Sequence, residues 1–396
     1  MNIVHIITRL NLGGSEEQTT ECCNYQVRCG HTVTLFYGQE ACQEAIDKLD
    51  PRVTAQQVPT LVWGIDPLTD LRAWSILKNL IAHRRPDIVH THASKAGIIG
   101  RLAARAAKVP IIIHGVHILP FVNVSAPKAW VYTQLERWVG RFTDAFFDVG
   151  IGMRDTCLAA KVGLPEQHHL VPSGMDIERY RNAGQNPPDW HDVLAGHSIT
   201  PTDPQFITLA SILEVRKRQA AFLPVFARLA ARNPNAVLLL VGEGQERHRL
   251  TQKIQDLRLE GRVILTGYRH DIEQILAISH IGLMTSEREG LSRAVIQYLL
   301  AGCPTVSTFV TGIDELITDG VNGFLTDLYD LEALIDPLER LLNDPALYQR
   351  MRQATLGADY ARWDNKVMVE MVEDLYQQIY SQKHGHLPPQ TRALQA

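Results

Sequence analysis

A chain of 396 residues with 45% hydrophobic content and a formal net charge of −4 is too long for one ordinary core and too apolar for a disordered polymer. It reads as two globular domains. Lys and Arg number 17 against 16 Asp and Glu up to residue 176, and 22 against 27 beyond it, so neither half has the basic excess of a nucleic-acid binder. No apolar run approaches the roughly 18 residues that a membrane-spanning helix needs. The opening residues carry neither a basic lead nor a small-residue cleavage site, so no signal peptide is expected. The six cysteines show no C-x-x-C and no zinc-type Cys/His spacing, which points to reduced thiols and a cytoplasmic setting.

Short apolar runs predict strands at 3–8, 32–37, 87–92, 110–114, 145–149 and 168–171, with helical patterns between them at 16–29, 71–82 and 96–107. A second series of strands is predicted at 205–211, 236–241, 263–266, 281–285 and 304–307. Strand and helix alternating in this way is the pattern of a parallel α/β sheet, and two series give two Rossmann-like units in tandem. Between them, residues 181–203 are rich in Asn, Pro, Gly and Asp and read as a linker or peripheral insertion. Residues 383–396 are polar, contain prolines and lack periodicity, and are expected to form a disordered tail.

The densest chemical signal lies in residues 286–304. A loop follows an apolar strand, Glu289-Gly290 is read as opening a helix, and backbone N–H groups with the positive end of the helix dipole would meet an anion there. Gly290, Leu291 and Ser292 continue the loop, and eight residues after Glu289 comes Gln297, about two turns on. This stretch, with its Ala301-Gly302-Cys303-Pro304 ending, resembles the E-x7-E signature of retaining GT-B glycosyltransferases of family 4. The second Glu of that pattern is Gln297 here.

Further segments carry the resemblance from residue 3 to about residue 380. Gly13-Gly14-Ser15-Glu16 after the first strand is similar to the family's G-G-x-E loop, where glycines let the backbone approach a bulky anion. Asp87-Ile88-Val89-His90-Thr91-His92 and His114-Gly115-Val116-His117 resemble its two histidine segments. Leu209 to Gln219 resembles G-R-L-x-x-x-K-G, with Ser211 where the Arg would stand and Lys217, rather than Arg216, as the diphosphate cation. Val241-Gly242-Glu243-Gly244 resembles a nucleotide turn, and Gly267-Tyr268-Arg269 the segment near the base.

The resemblance implies an α/β GT-B fold, two Rossmann-like domains with parallel sheets facing across a cleft. Residues 1–180 would form the acceptor-side domain, joined by a C-terminal helix at about 364–382, and 181–363 the nucleotide-sugar domain. It implies a hexosyltransferase that takes a nucleotide diphosphate sugar, UDP favoured over GDP, and retains anomeric configuration. Glu289, His117 and Lys217 would be catalytic. Gly13, Gly14, Ser211, Arg216, Gly242, Tyr268, Arg269, Gly290, Leu291, Ser292 and Gln297 would bind the donor. His92 and Lys95 are the acceptor-side candidates; the acceptor would be a sugar, a lipid-linked group or a small molecule.

No cofactor is expected. The His90-x-His92 pair lacks a carboxylate at evident spacing, so no metal site is expected either. Lys128 to Phe142 mixes basic residues with Trp130 and Trp138 at helical spacing; a helix packed on the sheet is the preferred reading, and a lipid-linked acceptor at the inner face of the membrane would favour peripheral contact. Ser211 and Gln297 leave open a catalytically weak or silent subunit that acts through a partner, or a sugar-nucleotide epimerase on the same fold. A nicotinamide-dependent dehydrogenase is disfavoured, since no G-x-G-x-x-G follows the first strand. Nothing in the sequence specifies an oligomeric state.

Overall fold

A computed structural model describes residues 1–386 and 388. It divides into two compact units, Met1–Met175 with the segment from Arg362 onward, and Asp176–Ala361. The first unit holds a seven-stranded sheet of β1 (Asn2–Leu10), β2 (Thr32–Ala41), β3 (Thr54–Gln57), β4 (Ile88–His92), β5 (Ile111–Val116), β6 (Ala145–Asp148) and β7 (His168–Leu170). All pairs are parallel, in the order β3-β2-β1-β4-β5-β6-β7. The second unit holds a six-stranded parallel sheet of β8 (Gln205–Ala210), β9 (Ala236–Val241), β10 (Val263–Gly267), β11 (Ile281–Met284), β12 (Thr305–Thr308) and β13 (Gly323–Thr326). Its order is β10-β9-β8-β11-β12-β13.

Two edge strands were not foreseen. β3 reads Thr-Ala-Gln-Gln, largely exposed and without an apolar signal. β13 begins at a glycine that reads as a turn former; a β-carbon on Gly323 would lie 2.1 Å from the Thr305 carbonyl oxygen, so the residue is needed where two strands approach. Residues 181–203 are not a linker. They lie in the second unit, where helices Ile177–Gln185 and Trp190–Val193 bury Tyr180, Val193 and Leu194. The expected tail is also shorter at its start, because the helix Asn365–His384 continues through Lys383 and closes at a left-handed Gly385. Residue 387 and residues 389–396 lie outside the described residues.

Side chains alternate across a strand, and both faces of the first sheet are covered. Val4, Ile6, Val89 and Ile112 point to one face, against Leu77 and Ile81 of helix Pro67–Arg84 and Ile99 and Ala103 of helix Ser94–Ala106. Ile3, Ile88, Ile111, Ile113 and Phe147 point to the other, against Cys22 of helix Gly14–Arg28 and Met368, Val372 and Tyr376 of helix Asn365–His384. The last helix therefore completes the core of the unit in which the chain begins. Its entry is fixed by Asp364, whose carboxylate caps Lys366 N at 2.7 Å, and by Asn365 N donating to Met175 O at 3.0 Å.

A polar cluster ties this helix to the turn that leads into β2. His31 Nε2 donates to Glu373 Oε1 at 2.9 Å, Gln377 Nε2 donates to the same oxygen at 3.0 Å, and the N-terminal ammonium lies 3.2 Å from His31 Nδ1. Burial would raise the Glu373 pKa, but these donors and the charge of the N-terminus outweigh it and hold the carboxyl below its ordinary value. A carboxyl depressed on folding stabilises the native state above its unfolded pKa and loses that contribution as pH falls through the folded value. Glu373→Gln is accordingly expected to lower the melting temperature of the first unit by about 2–4 °C at pH 7. The gap from wild type should close below about pH 4; calorimetric scans at both pH values check it, and a gap that persists in acid refutes the assignment.

Candidate active site

The order of the second sheet reverses beside β8. Loops leaving the carboxyl ends of β8 and β11 diverge there, which is where ligands bind in open parallel sheets. The loop after β8 ends in a 3-10 turn, Val215–Lys217, followed by Arg218 at φ 58°. A left-handed conformation is uncommon outside glycine, and the resembled pattern has glycine at this position. Arg218 is held in it by its guanidinium, with Nε donating to Thr285 O at 2.6 Å and Nη1 to Leu328 O at 2.8 Å. Thr285 Oγ1 returns a hydrogen bond to Lys217 O, and Glu287 N donates to Arg216 O at 2.9 Å. The two loops are thus sewn together through backbone.

This stitching sets Lys217 against Glu289. Lys217 Nζ is ion-paired with Glu289 Oε1, and both side chains are 12% exposed. Arg216 Nη1 stands 3.9 Å from Glu289 Oε2, while its Nε pairs with Glu214. Burial pushes the Glu289 pKa up, yet Lys217, Arg216 and a hydrogen bond from Ser286 overcome it and hold the carboxyl below its usual value. Glu289 is therefore an anion at neutral pH. It does not open a helix, contrary to the sequence reading: the helix is Arg293–Leu300 with Ser292 as N-cap, and Glu289, Gly290 and Leu291 lie in the loop before it. Glu289 and Gln297 consequently do not share a helical face.

Gln297 does lie in that helix, and its Nε2 donates to Tyr180 Oη at 2.8 Å. The adjoining Tyr298, which no motif singled out, fixes the helix in place. Its hydroxyl accepts from Ala210 N at 2.6 Å at the end of β8, and its ring lies over Gly282, where a β-carbon would come within 2.4 Å of Cδ2. A signal existed in the glycine inside the apolar run of β11.

Ser211 Oγ accepts from Gln219 Nε2 at 2.9 Å. With Lys217 as the residue on Glu289, the position five residues upstream is Ile212, 47% exposed, so the missing Arg is replaced by an apolar side chain one place beyond Ser211. Gly242 adopts φ 138°, and a β-carbon there would lie 2.2 Å from Ser211 O. The close approach that this glycine permits is that of the neighbouring loop. Tyr268 is 41% exposed beyond β10, whereas the Arg269 guanidinium is bonded to Asp271 at 2.6 and 2.7 Å and to Val193 O at 2.8 Å. The Arg269 guanidinium is thus held within the second unit, which leaves its backbone as the part that the sequence reading placed near the base.

In the first unit, Gly13 is the N-cap of helix Gly14–Arg28, and Glu16 folds back over it: a β-carbon on Gly13 would be 2.6 Å from Glu16 Oε2. Ser15 Oγ donates to that oxygen at 2.6 Å. Burial raises the Glu16 pKa against the opposing pull of Ser15 and Arg9, a feature the glycine pattern gave no hint of. Lys95 is bound to Asp70 at 2.6 Å and to Gly64 O, so its ammonium ties two helices and a loop together. His92 is 2% exposed and bonded to His5 and His117, which removes it from direct contact with an acceptor. Both acceptor-side candidates thus have partners within the first unit. His117, half-buried, follows β5. Among the described residues, His5, His90 and His92 bring ligand atoms within 4.8 Å of one another, so a metal ion could be held there on distance alone. Both ring nitrogens of His5 are already taken, by Gln26 and His92.

Residues 195–356 match the family model of glycosyl transferases group 1, and residues 13–174 that of the glycosyl transferase 4-like domain. The chain is 30% identical over 313 residues to the UDP-Gal:alpha-D-GlcNAc-diphosphoundecaprenol alpha-1,3-galactosyltransferase of Escherichia coli, covering 77% of this chain and 80% of that one. It is 24% identical over 381 residues to the N-acetyl-alpha-D-glucosaminyl L-malate synthase of Bacillus anthracis, covering 93% and 95%. Among solved structures, Anabaena HepE in complex with UDP aligns with a TM-score of 0.75 at 18% identity, covering 96% of this chain and 100% of that one. Sucrose-phosphate synthase from Thermosynechococcus elongatus aligns with a TM-score of 0.79 at 18% identity and the same coverage. Two parallel-sheet α/β domains of this kind are the GT-B fold, and the chain belongs to the group 1 glycosyltransferases, enzymes that transfer sugars.

Proposed function

We propose that this enzyme moves a hexosyl group from a UDP-sugar to a hydroxyl of a sugar carried on a lipid diphosphate, with retention of anomeric configuration. The observation that carries the reading is the Lys217–Glu289 pair at the strand-order reversal of the second sheet, a cation and an anion poised for a diphosphate and a sugar hydroxyl. The named activity of the Escherichia coli relative supports both the uridine donor and the lipid-linked acceptor. HepE structures with UDP and with UDP-glucose favour UDP over GDP.

In this reading Lys217, with Arg216 beside it, receives the diphosphate and offsets the charge that develops as the glycosidic bond breaks, so no metal or other cofactor is invoked. Glu289 exchanges Lys217 for a hydroxyl of the transferred sugar. Gln297 keeps Nε2 on Tyr180 and offers Oε1 to a ribose hydroxyl. Retention follows from attack on the face that the diphosphate leaves, the leaving phosphate oxygen receiving the acceptor proton. The Gly13-Gly14 loop supplies backbone N–H groups toward an anion.

Contact with a lipid surface is part of the proposal. Helix Ala126–Gly140 exposes Trp130 (67%) and Trp138 (49%), two turns apart, with exposed Lys128 and Arg141 flanking them. Its opposite side is pinned inward by the buried Arg101–Glu136 ion pair at 2.6 Å. Aromatic rings beside cations suit the interface of an anionic leaflet. No described helix is long and apolar enough to cross a membrane.

Glu289→Ala is expected to lower the transfer rate by roughly 10²–10³-fold. UDP affinity should be kept or raised, because Lys217 then loses the carboxylate that competes for it; isothermal titration with UDP and a single-turnover assay measure the two effects. Near-normal turnover in this variant defeats the assignment. Replacing Trp130 and Trp138 together by Ala should reduce co-sedimentation with vesicles of anionic phospholipid several-fold, by roughly 1–2 kcal/mol of lost interfacial burial. Undiminished binding would assign the lipid contact to another surface.

A further inference from the structure

Three histidines of the first sheet form a cluster that the proposed chemistry does not use. The sequence offered no partner for the His90-x-His92 pair; the pairing of β1 with β4 supplies His5. These strands run parallel with His5 beside His90 and Ile7 beside His92, and residues two apart on a strand share a face. His5, His90 and His92 are 0%, 3% and 2% exposed there, and each offers a ring nitrogen within 4.8 Å of the other two. A tetrahedral zinc ion with nitrogens at about 2.0–2.1 Å sets them about 3.4 Å apart. The cluster brackets that spacing, since His5 Nδ1 lies 2.9 Å from His92 Nε2 and 4.8 Å bounds the set.

An imidazole that binds a metal is held in orientation by a second partner on its other ring nitrogen. All three rings have one. His5 Nε2 donates to Gln26 Oε1 at 2.8 Å, His90 Nδ1 lies 2.6 Å from Tyr376 Oη, and His92 Nδ1 lies 3.1 Å from His117 Nε2. The nitrogens not engaged by these partners are His5 Nδ1, His92 Nε2 and His90 Nε2. The last is buried and has no hydrogen-bond partner among the described residues, an exception that calls for an explanation. Because Gln26 Oε1 can only accept, His5 carries its proton on Nε2 and keeps its lone pair on Nδ1. Burial keeps the rings neutral, moving His5 down to about 4 and His90 and His92 well below their ordinary value, so protons do not compete for the lone pairs at neutral pH.

We propose that His5, His90 and His92 bind one zinc ion, which takes the place of the His5–His92 hydrogen bond and clasps β1 to β4. The fourth position falls to a water in the small cavity that His90 and His92 line with Gln18 and Cys22. The ion is structural, and the proposal does not depend on the transferase reading.

The full chain purified from zinc-supplemented cells should carry one equivalent of zinc by native mass spectrometry. Removing it with a chelator should lower the melting temperature by roughly 5 °C or more, and zinc chloride alone should restore both. Long-range proton–nitrogen spectra with labelled histidines read the ligand atoms. Without zinc the His92 proton should sit on Nε2, donated to His5 Nδ1; with zinc it should move to Nδ1, while His5 keeps its proton on Nε2. Gln26→Met, which removes no ligand, should weaken zinc binding roughly tenfold or more, and His90→Gln should weaken it further. A chain that holds no zinc overturns the proposal, as does a His92 proton that stays on Nε2 with zinc bound, and neither result needs a variant to fold. Stoichiometric binding unchanged in both variants assigns the ion to other side chains and overturns it too.

Discussion

In each sheet the chain lays strands to one side of the first strand and then returns to lay the rest on the other, and the Lys217–Glu289 pair depends on that reversal in the second. Right-handed crossovers leave no other way to cover both faces. Where the direction changes, beside β1 and beside β8, consecutive loops diverge from the carboxyl ends of neighbouring strands. A crevice results from connectivity alone. In the second sheet the crevice is lined by the loops after β8 and β11, and the sequence places a cationic run on one and the Glu289 loop on the other.

Connectivity brings those loops near each other; hydrogen bonds to backbone carbonyls determine how near. Arg218 spends its guanidinium on the carbonyls of Thr285 and Leu328 and accepts a left-handed backbone to do so. An unfavourable φ of this kind costs on the order of 1–3 kcal/mol, and the local bonds offset it. The consequence is that Lys217 and Glu289 share one charge pair before any substrate arrives. Lys217 and Arg216 hold the Glu289 carboxyl below its ordinary value although burial pushes it up. Tyr298 does the equivalent for the following helix, seating it on Gly282 and on the end of β8 so that Gln297 meets Tyr180.

The first unit uses its sheet face differently. Period-two alternation turns Val4, Ile6 and Val89 of β1 and β4 to one side and His5, His90 and His92 to the other. Buried polar rings need partners, and the helices that cover this face supply Gln26 and Tyr376. The Tyr376 helix comes from the far end of the chain. The same segment that completes the apolar core therefore completes the polar network, and a change in its docking would reach the histidines directly.

Much of this was legible in the order of residues. Apolar runs of four to six residues between amphipathic stretches gave the parallel sheets, because strands buried on both faces must be apolar throughout; the edge strands β3 and β13 escaped for want of that constraint. The ordered motifs gave the family and gave Glu289, Lys217 and His117 as the residues to examine. What spacing could not supply was the partner of each side chain. Lys95, Arg269 and His92 have the right chemistry for ligand contact and are taken up by Asp70, Asp271 and the neighbouring histidines. Gly242 looked like room for a nucleotide and is room for a backbone carbonyl. Sequence alone thus determined the fold class and the inventory of reactive groups, since periodicity and residue type are local properties. Tertiary structure alone decided which groups are spent on one another, because hydrogen bonds and ion pairs between residues 72 or 87 positions apart exist only once the strands have been brought side by side.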